Sequence, residues 1–309
     1  MIIISFSNEV RKEICSSVND KDKRFACLYG MILYSRTVTP ELICFQSESS
    51  TASNHFESLM KQVFGKKAEY VRRDRVKKNG SKLYVFEITD KESIECILHT
   101  YRIDPRKRSI NSEIIANNSL GVFVAGVFLA CGSVNDPSKE YHLEFAVSEE
   151  KLADELVTVL GNIGVNSRVV TRRGQYVVYI KGSESIEDTL TFIGAQSCTI
   201  ELMNVKIFKD VRNKANRIAN CDSANIDKVV NTALRQIEDI VLIDKTLGLE
   251  NLSEELREVA YMRLSNTDMS LKDIASALET PISRSGVNHR FKKLSAMADE
   301  IRNGGVKKK

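Results

Sequence analysis

One pattern constrains this chain more than any other: a series of elements that recurs after about 95 residues. Residues 68–76 and 82–89 (AEYVRRDRV and KLYVFEIT) read as strands joined by Lys78-Asn79-Gly80-Ser81. The Asn-Gly pair there takes the positive φ values of a tight turn. A second hairpin runs from Ser167–Thr171 through Arg173-Gly174 to Gln175–Ile180, and its turn glycine lies 94 residues beyond Gly80. Before each hairpin comes an almost uncharged run with a central glycine: Arg24–Arg36 around Gly30, and Ser119–Ser133 around Gly126, 96 residues on. Each run precedes a strand (Glu41–Ser47; Tyr141–Val147) and an amphipathic helix (Ser53–Phe64; Glu149–Asn162), and each hairpin leads into a further helix (Lys91–His99; Ser183–Ile193).

Taken alone, Leu120–Cys131 suits a buried strand as well as a helix, because Val122, Phe123 and Val124 are consecutive. The less β-branched counterpart at 24–36 holds the same place in the series, which favours helix for both. A helix apolar all round must be buried. The simplest arrangement packs the two on each other at a pseudo-twofold axis, with Gly30, Ala125 and Gly126 allowing close approach; two unrelated core helices are the alternative. At 12 residues, Leu120–Cys131 would span ~18 Å against a ~30 Å hydrocarbon core, too short for a membrane span.

The texture changes after Ile193. Glu201–Arg217 and Asn225–Leu247 are helical patterns, with Cys221-Asp222-Ser223 offering N-cap chemistry between them and Gly248 a stop. Three shorter helices follow. Ser253–Leu264 starts on a Ser cap with acids in its first turn. Ser270–Leu278 carries a capping-box-like Ser270 and Asp273, and turns Leu271, Ile274, Ala275 and Leu278 to one face. Glu279–Ser283 breaks the helix at Pro281, and Ser285–Ile301 resumes with Val287, Phe291, Leu294 and Ala298 inward. The domain division expected is 1–110, 111–212 and 213–309, with a helix-turn-helix at about 270–302.

Charge is concentrated where that last helix lies. The chain carries +4 overall, yet its last 29 residues carry +6 and the other 280 sum to −2. A basic end on a near-neutral body points to a polyanion. A helix-turn-helix needs a small residue where helices cross (Ala275) and a second helix showing base-reading side chains. Arg284, Ser285, Asn288, His289, Arg290, Lys292 and Lys293 are therefore the candidate DNA-binding residues. Asn pairs bidentately with adenine, Arg with guanine, and Lys neutralises phosphate. The connection is about two residues longer than usual, and Glu279 stands where glycine is common. A solvated three-helix bundle is the plain alternative. On the first hairpin, Arg72, Arg73, Arg75, Lys77 and Lys78 form a second basic cluster that either contacts a phosphate backbone or is merely solvated, and Arg168, Arg172 and Arg173 occupy the equivalent hairpin.

Other chemistry is thin. Seven cysteines show no CxxC pair and no zinc-ligand spacing, so they read as reduced thiols of a cytosolic chain. The start, MIIISFSNEVRKE, is too short in apolar residues for a signal peptide. His55, His99 and His142 are scattered singly, and Tyr29 and Tyr34 read as core. No phosphate loop or hydrolase motif is present. No metal, cofactor, small-molecule substrate or membrane is expected.

The chain resembles the WhiA family, bacterial regulators with a degenerate LAGLIDADG homing-endonuclease-like region and a C-terminal helix-turn-helix domain. The likeness rests on VAGVFLACGSV (Val124–Val134), on RSGVNHRFKKL (Arg284–Leu294) after SLKDIASAL, and on RNKANRIANCDSANIDK (Arg212–Lys228). It runs essentially the full length, and it is sharpest at the C-terminal motif and the joint. It implies an α+β fold: two pseudo-symmetric αββαββα halves forming a saddle, then an all-α module. It also implies a role in cell division, chromosome segregation or transcription regulation, with a cytoplasmic, nucleoid-associated location. In active homing nucleases each motif helix ends on an acid that helps hold a divalent metal. Laid on this chain, those positions are Ser35, with Arg36 following, and Cys131; neither is a carboxylate. Asp136 has no evident symmetric partner. Three functions compete: a non-enzymatic protein binding double-stranded DNA, an active metal-dependent nuclease, and a scaffold for a transcription or cell-division protein that is tethered to DNA.

Overall fold

A computed structural model describes residues 5–78, 80–115 and 119–304. Asn79 of the first turn and Lys307–Lys309 of the basic end lie outside the described residues, as do Met1–Ile4. The chain divides into two compact units, Met1–Lys209 and Asp210–Lys309.

The first unit holds two copies of one plan. Helices α1 (Phe6–Ser17) and α2 (Lys21–Leu33) lead to strands β1 (Thr37–Val38) and β2 (Ile43–Ser47), helix α3 (Ser50–Val63), strands β3 (Val71–Val76) and β4 (Lys82–Ile88), and helix α4 (Lys91–Thr100). The second copy runs α5 (Leu120–Cys131), β5 (Gly132–Val134), β6 (Leu143–Val147), α6 (Glu150–Asn162), β7 (Arg168–Arg172), β8 (Gln175–Ile180) and α7 (Ser183–Phe192). The sheets share one topology: β1-β2-β4-β3 in the first and β5-β6-β8-β7 in the second, antiparallel throughout. Alternation sends Ile43, Phe45, Phe86 and Ile88 into the core from one sheet, and Leu143, Phe145, Val178 and Ile180 from the other. Phe56 of α3 stacks on Phe45, ring centroids 4.2 Å apart.

Both halves close over a single hydrophobic core, and the ambiguous run 120–131 is a helix, α5, packed against α2. The contact is backbone on backbone: a Cβ on Gly126 would sit 2.0 Å from the Cys27 carbonyl oxygen, and one on Gly30 would sit 2.3 Å from that of Phe123. Around this crossing Leu28, Met31, Phe123 and Val127 are fully buried. Only a residue without a Cβ permits such an approach. The turn glycines take the positive φ expected of them, Gly80 at +82° and Gly174 at +76°, with Arg173 beside the latter at +49°.

Two features depart from the sequence-based expectation. The first is α1, whose Phe6, Val10 and Ile14 enter the core at helical spacing. The second is the joint: Gln196–Leu247 is one continuous helix, α8, with no break at Cys221-Asp222-Ser223. Those residues offer cap chemistry, but the segment holds no proline or glycine to stop a helix already running. The start of α8 is fixed by Glu13, whose carboxylate accepts from the backbone amides of Ser197 (2.6 Å) and Cys198 (3.0 Å). Among the described residues, no helix is long and apolar enough to cross a membrane.

In the second unit, Ile240 and Ile243 of α8 join a separate core with α9 (Glu254–Ser265), α10 (Leu271–Ala277) and α11 (Arg284–Arg302).

Candidate nucleic-acid interface

Side chains cap two helices of the three-helix module, whereas Ser253, the expected cap of α9, makes no side-chain cap bond among the described residues. Ser270 and Asp273 make a complete capping box on α10, and Ser283 caps α11 by accepting from the Gly286 amide at 3.1 Å. Between them Leu278 is extended (φ −67°, ψ 151°), and the only described non-glycine residues at positive φ are Arg102 and Arg173. The long connection therefore needs no glycine, which explains Glu279: its amide donates to the Glu258 carboxylate at 2.7 Å. The Ile282 amide donates to the Ala275 carbonyl at 3.1 Å and closes the turn.

Val287, Phe291, Leu294 and Ala298 are buried, which sets the rotation of α11. Ser285, Asn288, His289 and Lys292 then lie on the opposite face at i, i+3, i+4 and i+7, all exposed, with Arg284 and Lys293 exposed beside them. None of these side chains forms an ion pair among the described residues. Arg290 is different. It is 16% exposed and turned toward α9, with Nε 3.8 Å from Glu255 and Nη1 3.6 Å from Glu258. It bridges α11 to α9 rather than joining the outward face.

Beneath that face, sequence reasoning missed Arg263. It is 2% exposed, donates to the Gln236 side chain (3.1 Å) and the Met269 carbonyl (2.6 Å), and lies over the Phe291 ring. Burial lowers its pKa. Arg302, counted in the basic end, reaches Asp239 at 2.6 Å, and Asp239 also accepts from the Ser295 hydroxyl at 2.7 Å.

The first-hairpin cluster has the opposite electrostatics. Arg72 pairs with Glu57 at 2.6 Å and Asp74 at 3.2 Å and lies over the Tyr84 ring. Arg73 and Arg75 both approach Glu87, at 3.3 and 3.8 Å, and Lys77 pairs with Glu48. Lys78 is exposed. On the second hairpin, Arg172 lies 3.9 Å from Glu144, and Arg168 and Arg173 are exposed.

At the C-terminal ends of the crossed helices α2 and α5, a cavity of about 510 Å³ brings Ser35 and Cys131 to one place. Ser35 Oγ donates to the Met31 carbonyl at 2.8 Å, and Cys131 Sγ donates to that of Val127 at 3.4 Å. Burial pushes the Cys131 thiol up to about 12, so it stays protonated and neutral. Guanidiniums occupy the negative helix ends: Arg108, 3% exposed, donates to the Leu33 and Ser35 carbonyls at 3.0 and 2.9 Å and pairs with Glu149, and Arg11 donates to the Gly132 carbonyl at 2.7 Å. Asp136 sits in the loop after β5, its carboxylate accepting from the Ser138 amide at 2.8 Å. Among the described residues, no three His, Cys, Asp or Glu side chains are grouped to hold a metal ion.

Family models match the second half of the first unit and most of the second unit. Residues 120–212 match the WhiA LAGLIDADG-like domain, and residues 215–298 match the WhiA C-terminal HTH domain. A probable cell division protein WhiA from Clostridium acetobutylicum is 37% identical over 98% of this chain and all of its own length. One from Caldicellulosiruptor saccharolyticus is also 37% identical, over 98% of this chain and 97% of the relative. The crystal structure of full-length DUF199/WhiA from Thermatoga maritima superposes with a TM-score of 0.57 at 26% identity, covering 96% of this chain and 99% of that one. With a duplicated α+β unit, a helical module built on α10 and α11, and relatives matched end to end, the chain belongs to the WhiA family.

Proposed function

We propose that this chain is a non-enzymatic DNA-binding protein of bacterial cell division that holds double-stranded DNA against the outward face of α11. Chromosome segregation and transcription regulation are the activities this reading assigns to it, in the cytoplasm at the nucleoid. The reading is carried by one contrast. Arg284, Lys292 and Lys293 surround exposed Asn288 and His289 with no ion pair among the described residues, whereas Arg72, Arg73, Arg75 and Lys77 each face a carboxylate. A cation already paired must lose that partner before it can neutralise a phosphate; a solvated one only releases water and gains the counterion-release term. In this reading the helices α2 and α5, whose ends carry Ser35 and Cys131, serve as the joint of the two halves, 1–110 and 111–212, and cut nothing. The module 213–309 makes the DNA contact.

The test is binding of labelled duplex across a salt series, together with selection from a randomised duplex pool. Lys292→Ala with Lys293→Ala should weaken binding on every sequence and flatten the salt slope by about 0.9 per lost phosphate contact. Asn288→Ala should relax the selected motif at one position, a loss of about 1–3 kcal/mol of discrimination. Binding unchanged in both variants would overturn the assignment of α11.

A further inference from the structure

A cavity of about 360 Å³ opens in the C-terminal unit where α8, the start of α10 and the start of α11 meet. Exposed cations from three elements line it: Lys228 of α8, Lys272 of α10 and Arg284 of α11. The Thr232 and Ser270 hydroxyls at its wall already donate, to the Lys228 carbonyl at 2.6 Å and to the Asp273 carboxylate, and buried Arg263 lies beside them. Among the described residues no carboxylate lines it. The nearby Asp273 carboxylate is turned back into the capping box, accepting from the Ser270 hydroxyl at 2.7 Å. Lys228, Lys272 and Arg284 form no ion pair among the described residues.

Three cations converging from separate helices repel one another, which raises the energy of the empty site and favours an anion within it. Arg263 cannot serve as their counterweight. It is itself cationic, and its Nε and Nη1 already donate, to the Gln236 side chain and to the Asn266 and Met269 carbonyls. Arg284 belongs both to this cavity and to the outward face of α11, so the two surfaces are continuous.

We propose that this cavity is a phosphate-binding site, in which Lys228 and Lys272, with Arg284, grip a phosphodiester of the duplex backbone flanking the bases read by α11. The inference rests on α11 facing the duplex, and it adds α8, outside the helix-turn-helix, to the DNA interface. Phosphate contacts fix position and register and carry no sequence information. Lys228 and Lys272 therefore set affinity and alignment but not the motif.

The experiment uses the full-length chain and a labelled mixed-sequence duplex, with Lys228→Ala, Lys272→Ala, their double variant and the Lys292→Ala, Lys293→Ala pair. Both new positions are exposed, and circular dichroism establishes that each variant is folded. The double variant should reduce the slope of log K against log salt by about 0.9, the loss of one phosphate contact, and each single change by a part of that. The motif selected from a randomised pool should stay as in the unsubstituted protein. If the Lys292/Lys293 pair weakens binding while the Lys228/Lys272 double variant keeps the full slope, the cavity proposal fails and the α11 reading stands. If the unsubstituted protein binds no duplex, both fail. Titration with inorganic phosphate separates the sources: saturable binding that the double variant abolishes, with the DNA salt slope unchanged, would make the site one for a free anion and overturn the proposal.

Discussion

Substituting Gly126 by alanine tests the packing on which the N-terminal unit is built. The added Cβ would sit 2.0 Å from the Cys27 carbonyl oxygen and 2.9 Å from its carbon, both backbone atoms of α2. No rotamer change relieves that, so α2 and α5 must part by roughly 1 Å, enough to forfeit a quarter to a half of each affected van der Waals contact. Overpacking ordinarily costs about 1–3 kcal/mol; a clash against rigid backbone in the middle of a core belongs at about 3–5 kcal/mol, a large share of a domain's ~5–15 kcal/mol. Gly161 is the control: it lies in α6 with nothing within 4 Å of a Cβ, so Gly161→Ala should stabilise by about 0.5–1 kcal/mol. Urea unfolding of the full chain measures both. The Gly126 variant should lower the transition of the first unit and leave that of residues 210–309 in place, because the two cores are separate. A Gly126→Ala protein within about 0.5 kcal/mol of the parent would refute the close crossing.

Three further outcomes follow from particular side chains. Arg263→Met strands the Met269 carbonyl and the Gln236 side chain and should destabilise the C-terminal unit by about 3–5 kcal/mol, seen as faster amide exchange in α10 and α11. Burial alone depresses the His55 imidazole from 6.5 to about 4, so the unfolded chain takes up its proton first as pH falls. Stability contributed by this group is intact above about pH 6.5 and lost toward pH 4, about 2 kcal/mol of it between pH 7 and 5; His55→Gln should remove that part of the pH dependence of urea unfolding. Supercoiled plasmid with Mg²⁺ or Mn²⁺ should remain intact in the presence of the protein; metal-dependent nicking that Asp136→Asn abolishes would show that a cutting centre survives.

The duplication was legible in the sequence because hairpin turns and apolar runs are local patterns that recur at a fixed spacing, and the pairing of Gly30 with Gly126 followed from it. The rotation of α11 was legible for the same reason, since Val287, Phe291, Leu294 and Ala298 mark its inner side. The α1 stripe of Phe6, Val10 and Ile14 is equally local, but it directly follows the apolar start of the chain, which masks its helical spacing in the sequence. Joining α8 across residues 221–223 turned on weighing cap chemistry against the lack of a helix breaker. What sequence could not show was where the arginines go. Arg108 meets carbonyls 73 and 75 residues away, Arg11 one 121 residues away, and Arg290 turns to α9 because Glu255 and Glu258 lie across the bundle. Long flexible side chains settle on partners that only the folded chain brings near.

The most direct measurement of where the polyanion lies is photo-crosslinking of the intact protein to duplex DNA, with a reactive side chain placed singly at Ser285, Lys292, Arg73 or Arg75. Strong crosslinks from positions 285 and 292 and weak ones from 73 and 75 are the predicted result. Crosslinks concentrated at 73 and 75, with 285 and 292 silent, would contradict it.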